Sequence, residues 1–212
     1  MKFGILWDLD GTLLDTLEDL TDATNYALGQ FGYPERTLAE LRRFVGNGAL
    51  RQMEQAVPEG ADAKAVLDVY KPYYNAHCQI KTAPYPGVMA ALQELGERYP
   101  MAIVSNKPDA AVKALCEQYF PGIYARGERS DCPRKPAPDM VLRTLEDIGV
   151  DACVYVGDSE VDILTANNAG VPCLSVLWGF RDREDLEQAG GVHFCETTAE
   201  LTQKIEELIH GQ

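Results

Sequence analysis

An apolar run, Phe3-Gly4-Ile5-Leu6-Trp7, stops abruptly at Asp8-Leu9-Asp10-Gly11-Thr12. A short apolar run ended by glycine and polar residues reads as a strand buried on both faces. Such strands lie in parallel sheets, where ligands bind outside the carboxyl edge. Asp8 and Asp10, two residues apart, project on one side of an extended chain. Two carboxylates that close repel each other unless a cation or a shared proton compensates. Gly11 lets the backbone turn sharply and approach a ligand closely.

The segment that follows has no strand signal. Residues 16–31 carry Leu17, Leu20, Ala23, Ala27, Leu28 and Phe31 at helical spacing. Shorter helices are predicted over 37–45 and 49–57, either side of Gly46-Asn47-Gly48, and a longer one over 62–79, kinked or ended near Pro72. From Pro86-Gly87 onward, strands alternate with helices: strand 101–105, a short strand near 123–125, and strands 153–156 and 173–177, with a last helix over 198–209. Alternation of this kind predicts an α/β fold, a doubly wound parallel sheet. The expected organisation is an α/β core of residues 1–14 and 83–212, with residues 15–82 inserted as a helical cap.

Three further strand ends carry polar groups. Strand 101–104 ends at Ser105-Asn106-Lys107, which also suits a helix N-cap. Arg134-Lys135-Pro136-Ala137-Pro138 opens a predicted helix. Val154-Tyr155-Val156 runs into Gly157-Asp158-Ser159, and Asp162 follows on the same face of the next helix's first turn. Acids at two separate strand ends predict a metal site. An oxygen-only donor set with few carboxylates suits Mg²⁺. The expected ligands are Asp8, the Asp10 backbone carbonyl and Asp158, with Asp162 acting through a water or orienting Lys135.

These four motifs, in this order, resemble those of the haloacid dehalogenase superfamily, whose members are mostly phosphatases. The resemblance spans Asp8 to Asp162 and implies a sheet of order 5-4-1-2-3. It implies that Asp8 is the nucleophile and Asp10 the general acid and base. It places Ser105, Asn106, Lys135 and the backbone of Leu9, Gly11 and Thr12 around the phosphoryl oxygens. Lys107 competes with Lys135 for the cationic role but lacks the Pro-x-Pro that follows Lys135. The helical insertion, with Phe44-Val45-Gly46-Asn47-Gly48, and the later Trp178-Gly179-Phe180 are similar to phosphoglycolate phosphatases. A small phosphate monoester is therefore the expected substrate, with phosphoglycolate the leading case. Asn47 and Arg51 are the expected contacts to its leaving group, Arg51 because a guanidinium suits a carboxylate.

Charge narrows the partners. Asp and Glu number 33 against 19 Lys and Arg, a formal charge of −14. A nucleic-acid footprint needs a basic face, so none is expected. No run reaches the ~20 apolar residues of a membrane span. Without a signal-peptide pattern or CxxC pairs, the six cysteines are expected as free thiols in the cytoplasm, in a monomer or homodimer. His77, His193 and His210 lack ligand spacing, and Tyr70, Tyr73 and Tyr74 are expected to pack within the insertion. Rival readings are a pyrophosphatase, a sugar or nucleotide phosphatase, a phosphomutase, or a phosphoryl-accepting signalling or regulatory protein. A receiver domain would lack the second aspartate and the insertion.

Overall fold

A computed structural model describes residues 1–211. Its main sheet holds β1 (Phe3–Trp7), β4 (Met101–Pro108), β5 (Tyr124–Glu128), β6 (Ala152–Gly157), β7 (Cys173–Val176) and β8 (His193–Cys195). Between β1 and β4, β2 (Leu14–Asp15) and β3 (Ala83–Pro84) form a separate antiparallel pair. The main sheet is parallel, in the order β5-β4-β1-β6-β7-β8. Apart from the added β8 at its edge, this is the implied order.

Ile5, Leu6 and Trp7 are all fully buried, because β1 lies in the middle of the sheet with helices on both faces. One face meets α5 (Val88–Gly96), α6 (Asp109–Tyr119) and α10 (Leu201–His210) through Ile5, Trp7, Ile103, Val154 and Val156. The other meets α7 (Asp139–Ile148) and α8 (Glu160–Ala169) through Leu6, Val104 and Tyr155. Trp7 pairs in register with Ile103 on one side and Val156 on the other. The residues following all three strands therefore emerge along one edge.

The insertion is α1 (Leu17–Gly29), α2 (Leu38–Phe44), α3 (Ala49–Ala56) and α4 (Ala63–His77). A Thr37–Glu40 capping box starts α2, and the Asp62 carboxylate accepts the Lys64 and Ala65 N–H groups to start α4. Of the two expected outcomes at Pro72, the helix does not end there: α4 runs on to His77. Pro72 and Asp68 both lie on the exposed face, so the Asp68 carbonyl that Pro72 cannot satisfy is on the solvent side of the helix. The chain leaves and re-enters the core side by side through β2 and β3. Just beyond, the buried Asp19 carboxylate accepts the N–H groups of Lys81 and Thr82 and the Thr82 hydroxyl, at 2.8–3.0 Å.

Two elements lie outside the expected pattern: the six-residue helix α9 (Arg183–Gln188) and β8. All six cysteines carry free thiols. Among the described residues, no helix is long and apolar enough to cross a membrane.

Candidate active site

The sheet edge places Asp8 and Asp10 just after β1, Asp158 just after β6, and Ser105-Asn106-Lys107 on the last turn of β4. Helix α8 begins two residues after Asp158 and carries Asp162 in its first turn. Lys135 enters from the loop before α7. Its ammonium lies 2.9 Å from Asp8 Oδ1 and 2.8 Å from Asp162 Oδ1.

Asp162 is fully buried, and both its oxygens already have donors. Oδ2 accepts from the Ser159 N–H and hydroxyl, and Oδ1 from Lys135 and Tyr155. Its 2.8 Å contact with Lys135 suits one of the two roles expected for it, the orientation of that lysine. Asp158 is held from two sides: the Thr12 hydroxyl donates to Oδ1 (3.1 Å) and the Phe180 N–H to Oδ2 (2.7 Å). Glycine is required around it. A Cβ on Gly11 would lie 2.2 Å from Asp158 Oδ2, and one on Gly179 would lie 2.3 Å from Asp158 Cβ.

Electrostatics mark the floor of this site. Burial, then the Asp162 charge, push Asp8 up to about 7, and Lys135 offsets them only in part. Burial raises Asp158 well above the usual carboxylate range, with Asp162 and Asp8 adding to it. Burial opposes the charge on Lys135, but Asp162 and Asp8 outweigh it and hold the ammonium well above the ordinary lysine value. One carboxylate oxygen from each of Asp8, Asp158 and Asp162 lies within 4.8 Å of the others. Crowded, buried oxygen donors of one sign fit a hard divalent cation, which would relieve their repulsion.

Above this floor is a cavity of about 40 Å³ between the sheet edge and the insertion. Asp8, Asp10, Ser105 and Lys107 form its lower wall, and Gly48, Ala49, Gln52, Tyr70 and Tyr74 its upper wall. Asp10 Oδ1 accepts from Lys107 Nζ and Thr16 Oγ1, each at 2.6 Å.

Several expectations change in this geometry. Lys107 belongs to the site, paired with Asp10, while Lys135 serves Asp8. The Gly11 N–H is committed to the Leu14 carbonyl at 2.9 Å and is not free for a phosphoryl oxygen; the Thr12 hydroxyl is committed to Asp158, which leaves only the Thr12 backbone for that role. The Asn106 side chain clamps the Lys135 backbone in both directions at 2.9 Å, which sets the lysine's position rather than a ligand's. Ser105 lines the cavity, and its hydroxyl accepts the Lys107 N–H; it caps no helix, since α6 starts at Asp109. Leu9 has its side chain in the core, which leaves the expectation for its backbone as it stood. Arg51 is exposed and paired with Glu54, and neither Arg51 nor Asn47 lines the cavity. Tyr70 and Tyr74 do line it, whereas Tyr73 stacks on Tyr26 and His77.

Some participants carry no signal in the sequence. Tyr155 looks like one more strand residue, yet its hydroxyl lies 2.9 Å from Lys135 Nζ. Arg181 is buried between the insertion and α8, bonded to both.

The family of haloacid dehalogenase-like hydrolases matches residues 5–176. The chain belongs to that family. It is 34% identical to a protein named phosphoglycolate phosphatase from Mesorhizobium japonicum, over 95% of each chain. A protein of the same name from Xanthomonas campestris is 36% identical over 87% of this chain and 88% of its own. A solved structure from Lactobacillus delbrueckii subsp. bulgaricus superposes with a TM-score of 0.90 at 38% identity, covering 97% of this chain and 99% of that one. In keeping with these relatives, the protein is a phosphatase of the haloacid dehalogenase type.

Proposed function

We propose that the protein is a Mg²⁺-dependent phosphatase that hydrolyses a small carboxylated phosphate monoester, with phosphoglycolate the leading candidate. The observation that carries this reading is the convergence of Asp8 and Asp10 on one small cavity, with Lys135 2.9 Å from Asp8. Asp8 is the nucleophile and takes up the phosphoryl group as an aspartyl phosphate. Asp10 gives a proton to the leaving oxygen and later takes one from the attacking water. Lys135, held by Asp162 and Tyr155, neutralises charge on Asp8 and the transferring group. Ser105 holds a phosphoryl oxygen.

Asp8, Asp158 and the Asp10 carbonyl are the residues that would hold Mg²⁺; Asp162, whose Oδ1 pairs with the Lys135 ammonium at 2.8 Å, would hold that lysine beside them. When bound, the ion supplies positive charge to the phosphoryl oxygens. The insertion acts as the cap, closing the cavity and excluding water. The names of the relatives support phosphoglycolate in particular.

The test is phosphate release from phosphoglycolate, ethyl phosphate, pyrophosphate and a hexose phosphate, with Mg²⁺ and with excess EDTA. The reading requires phosphoglycolate to give the highest kcat/KM and EDTA to abolish turnover. A hexose phosphate or pyrophosphate turned over best would displace it. Asp8→Asn must form no phosphoenzyme.

A further inference from the structure

One residue lining the cavity carries a polar group that the reaction so far leaves unused. The Tyr74 hydroxyl is buried, with the residue 2% exposed, and it has no hydrogen-bond partner among the described residues. A buried hydroxyl is normally satisfied. Tyr74 lines the cavity, and the Lys107 ammonium lies 4.7 Å from its ring centre. Lys107 is itself almost fully buried. It has three N–H donors, and its one recorded side-chain bond is to Asp10. The start of α3 faces the same space: Gly48 and Ala49 line the cavity, and no side chain caps that helix. Donors of three kinds therefore surround a space whose anionic wall is Asp8 and Asp10.

We infer that Lys107 and Tyr74 form the subsite for the leaving group's carboxylate. One carboxylate oxygen pairs with the Lys107 ammonium, the other accepts from the Tyr74 hydroxyl, and the first N–H groups of α3 add to the field. The inference rests on the proposed carboxylated substrate and moves its recognition from Arg51, which lies outside the cavity, to a core lysine and a residue of α4. A neutral leaving group of the same length would fill the space but leave the hydroxyl and ammonium unmatched, which is how such a site discriminates.

The decisive measurement is the ratio of kcat/KM for phosphoglycolate to that for ethyl phosphate. Losses common to both substrates, including any through Asp10, cancel in it. The native ratio should be at least about tenfold. Tyr74→Phe keeps the ring and removes only the hydroxyl; it should lower the ratio roughly fivefold or more. Lys107→Met should lower it about tenfold, and Lys107→Arg should recover part of that loss. Arg51→Ala should leave it unmoved. Glycolate should inhibit ethyl phosphate turnover in the native protein and more weakly in Tyr74→Phe, an independent reading of the same subsite.

A native ratio of at least tenfold that survives both Tyr74→Phe and Lys107→Met would overturn the subsite and leave the substrate assignment standing. A fall of the ratio in Arg51→Ala alone would return recognition to α3. A native ratio near one would overturn the carboxylate reading and this subsite together.

Discussion

Arg181 bonds the Arg42 backbone across the boundary between the helical insertion and the sheet, while the Arg42 side chain reaches back to the loop that carries Arg181. Arg181 Nη1 donates to the Arg42 carbonyl at 2.7 Å, and Arg42 Nη2 donates to the Gly179 carbonyl at 3.0 Å. Arg181 also donates to the Val45 carbonyl at 2.8 Å and to Glu160 Oε2 at 2.7 Å. The carbonyls at the end of α2 have no further helical partner, so a guanidinium is well placed to satisfy them. Gly179 and Phe180, on the same loop, abut Asp158. Closure of the insertion and the placement of Asp158 therefore share one loop.

Arg181→Ala should loosen the insertion without unfolding the sheet. The loss is several hydrogen bonds from a charged donor, each worth ~1.5–3 kcal/mol in such settings. Hydrogen exchange should quicken over residues 42–50, and kcat/KM should fall about tenfold or more. Unchanged exchange there would show that the insertion is held by its apolar contacts alone.

Lys135→Met should lower kcat by ~10²–10³-fold, the usual loss for one preorganised charge-stabilising donor. It also strands Asp162 as a buried charge, with a cost of ~3–5 kcal/mol. Urea unfolding should register that cost, and the double variant Lys135→Met/Asp162→Leu should regain stability but not activity. Recovery of both would make Lys135 a structural residue.

Gly179→Ala tests the close approach at Asp158. The new methyl would lie 2.3 Å from Asp158 Cβ and 2.5 Å from the Gly11 carbonyl oxygen. Backbone and a short carboxylate cannot swing aside, so Asp158 must shift. Mg²⁺ affinity should fall by ~10–100-fold, the cost typical of disturbing groups that orient a metal ligand. Calorimetric titration measures it directly; an unchanged affinity would separate Asp158 from the metal.

Stability should depend on pH in a way that Mg²⁺ reverses. Asp8 in the native protein titrates at about 7, against an ordinary 3.8. Between those values the native state keeps a proton that the unfolded chain has released, so stability falls as pH rises. The contribution is complete below about 4 and gone above about 7. Tm in EDTA should drop across that window, and excess Mg²⁺ should flatten the drop by favouring the carboxylate. Equal slopes with and without Mg²⁺ would place the cation elsewhere.

The sequence showed most where the signal was local. The apolar runs ending at Asp8, Ser105 and Asp158 are strands because central parallel strands have no solvent face to encode. β8 escaped notice because it has three residues at the sheet edge, with one of them exposed. The cap contacts were misjudged for a different reason. Spacing puts Arg51 in the first turn of α3, but which way that turn faces depends on packing against α1 and α4. The choice between Lys107 and Lys135 was likewise posed too narrowly, since each has its own aspartate. Arg181 was beyond reach altogether: its partners on α2 lie more than 130 positions away.

The paired strands β2 and β3 have a consequence for how this protein can be rebuilt. Asp15 sits opposite Ala83, and neighbours across such a ladder have Cα atoms ~4.5–5.5 Å apart. Everything between them leaves and returns through one narrow doorway, latched by Asp19. A tight hairpin turn of two residues could seal that doorway, or a foreign helical segment could be grafted through it, without lengthening any strand of the main sheet. On the proposed function, the phosphoryl chemistry stays with the sheet edge, while substrate choice is divided: Lys107 remains with that edge, and Tyr74 goes with whatever stretch of chain is spliced between Asp15 and Ala83.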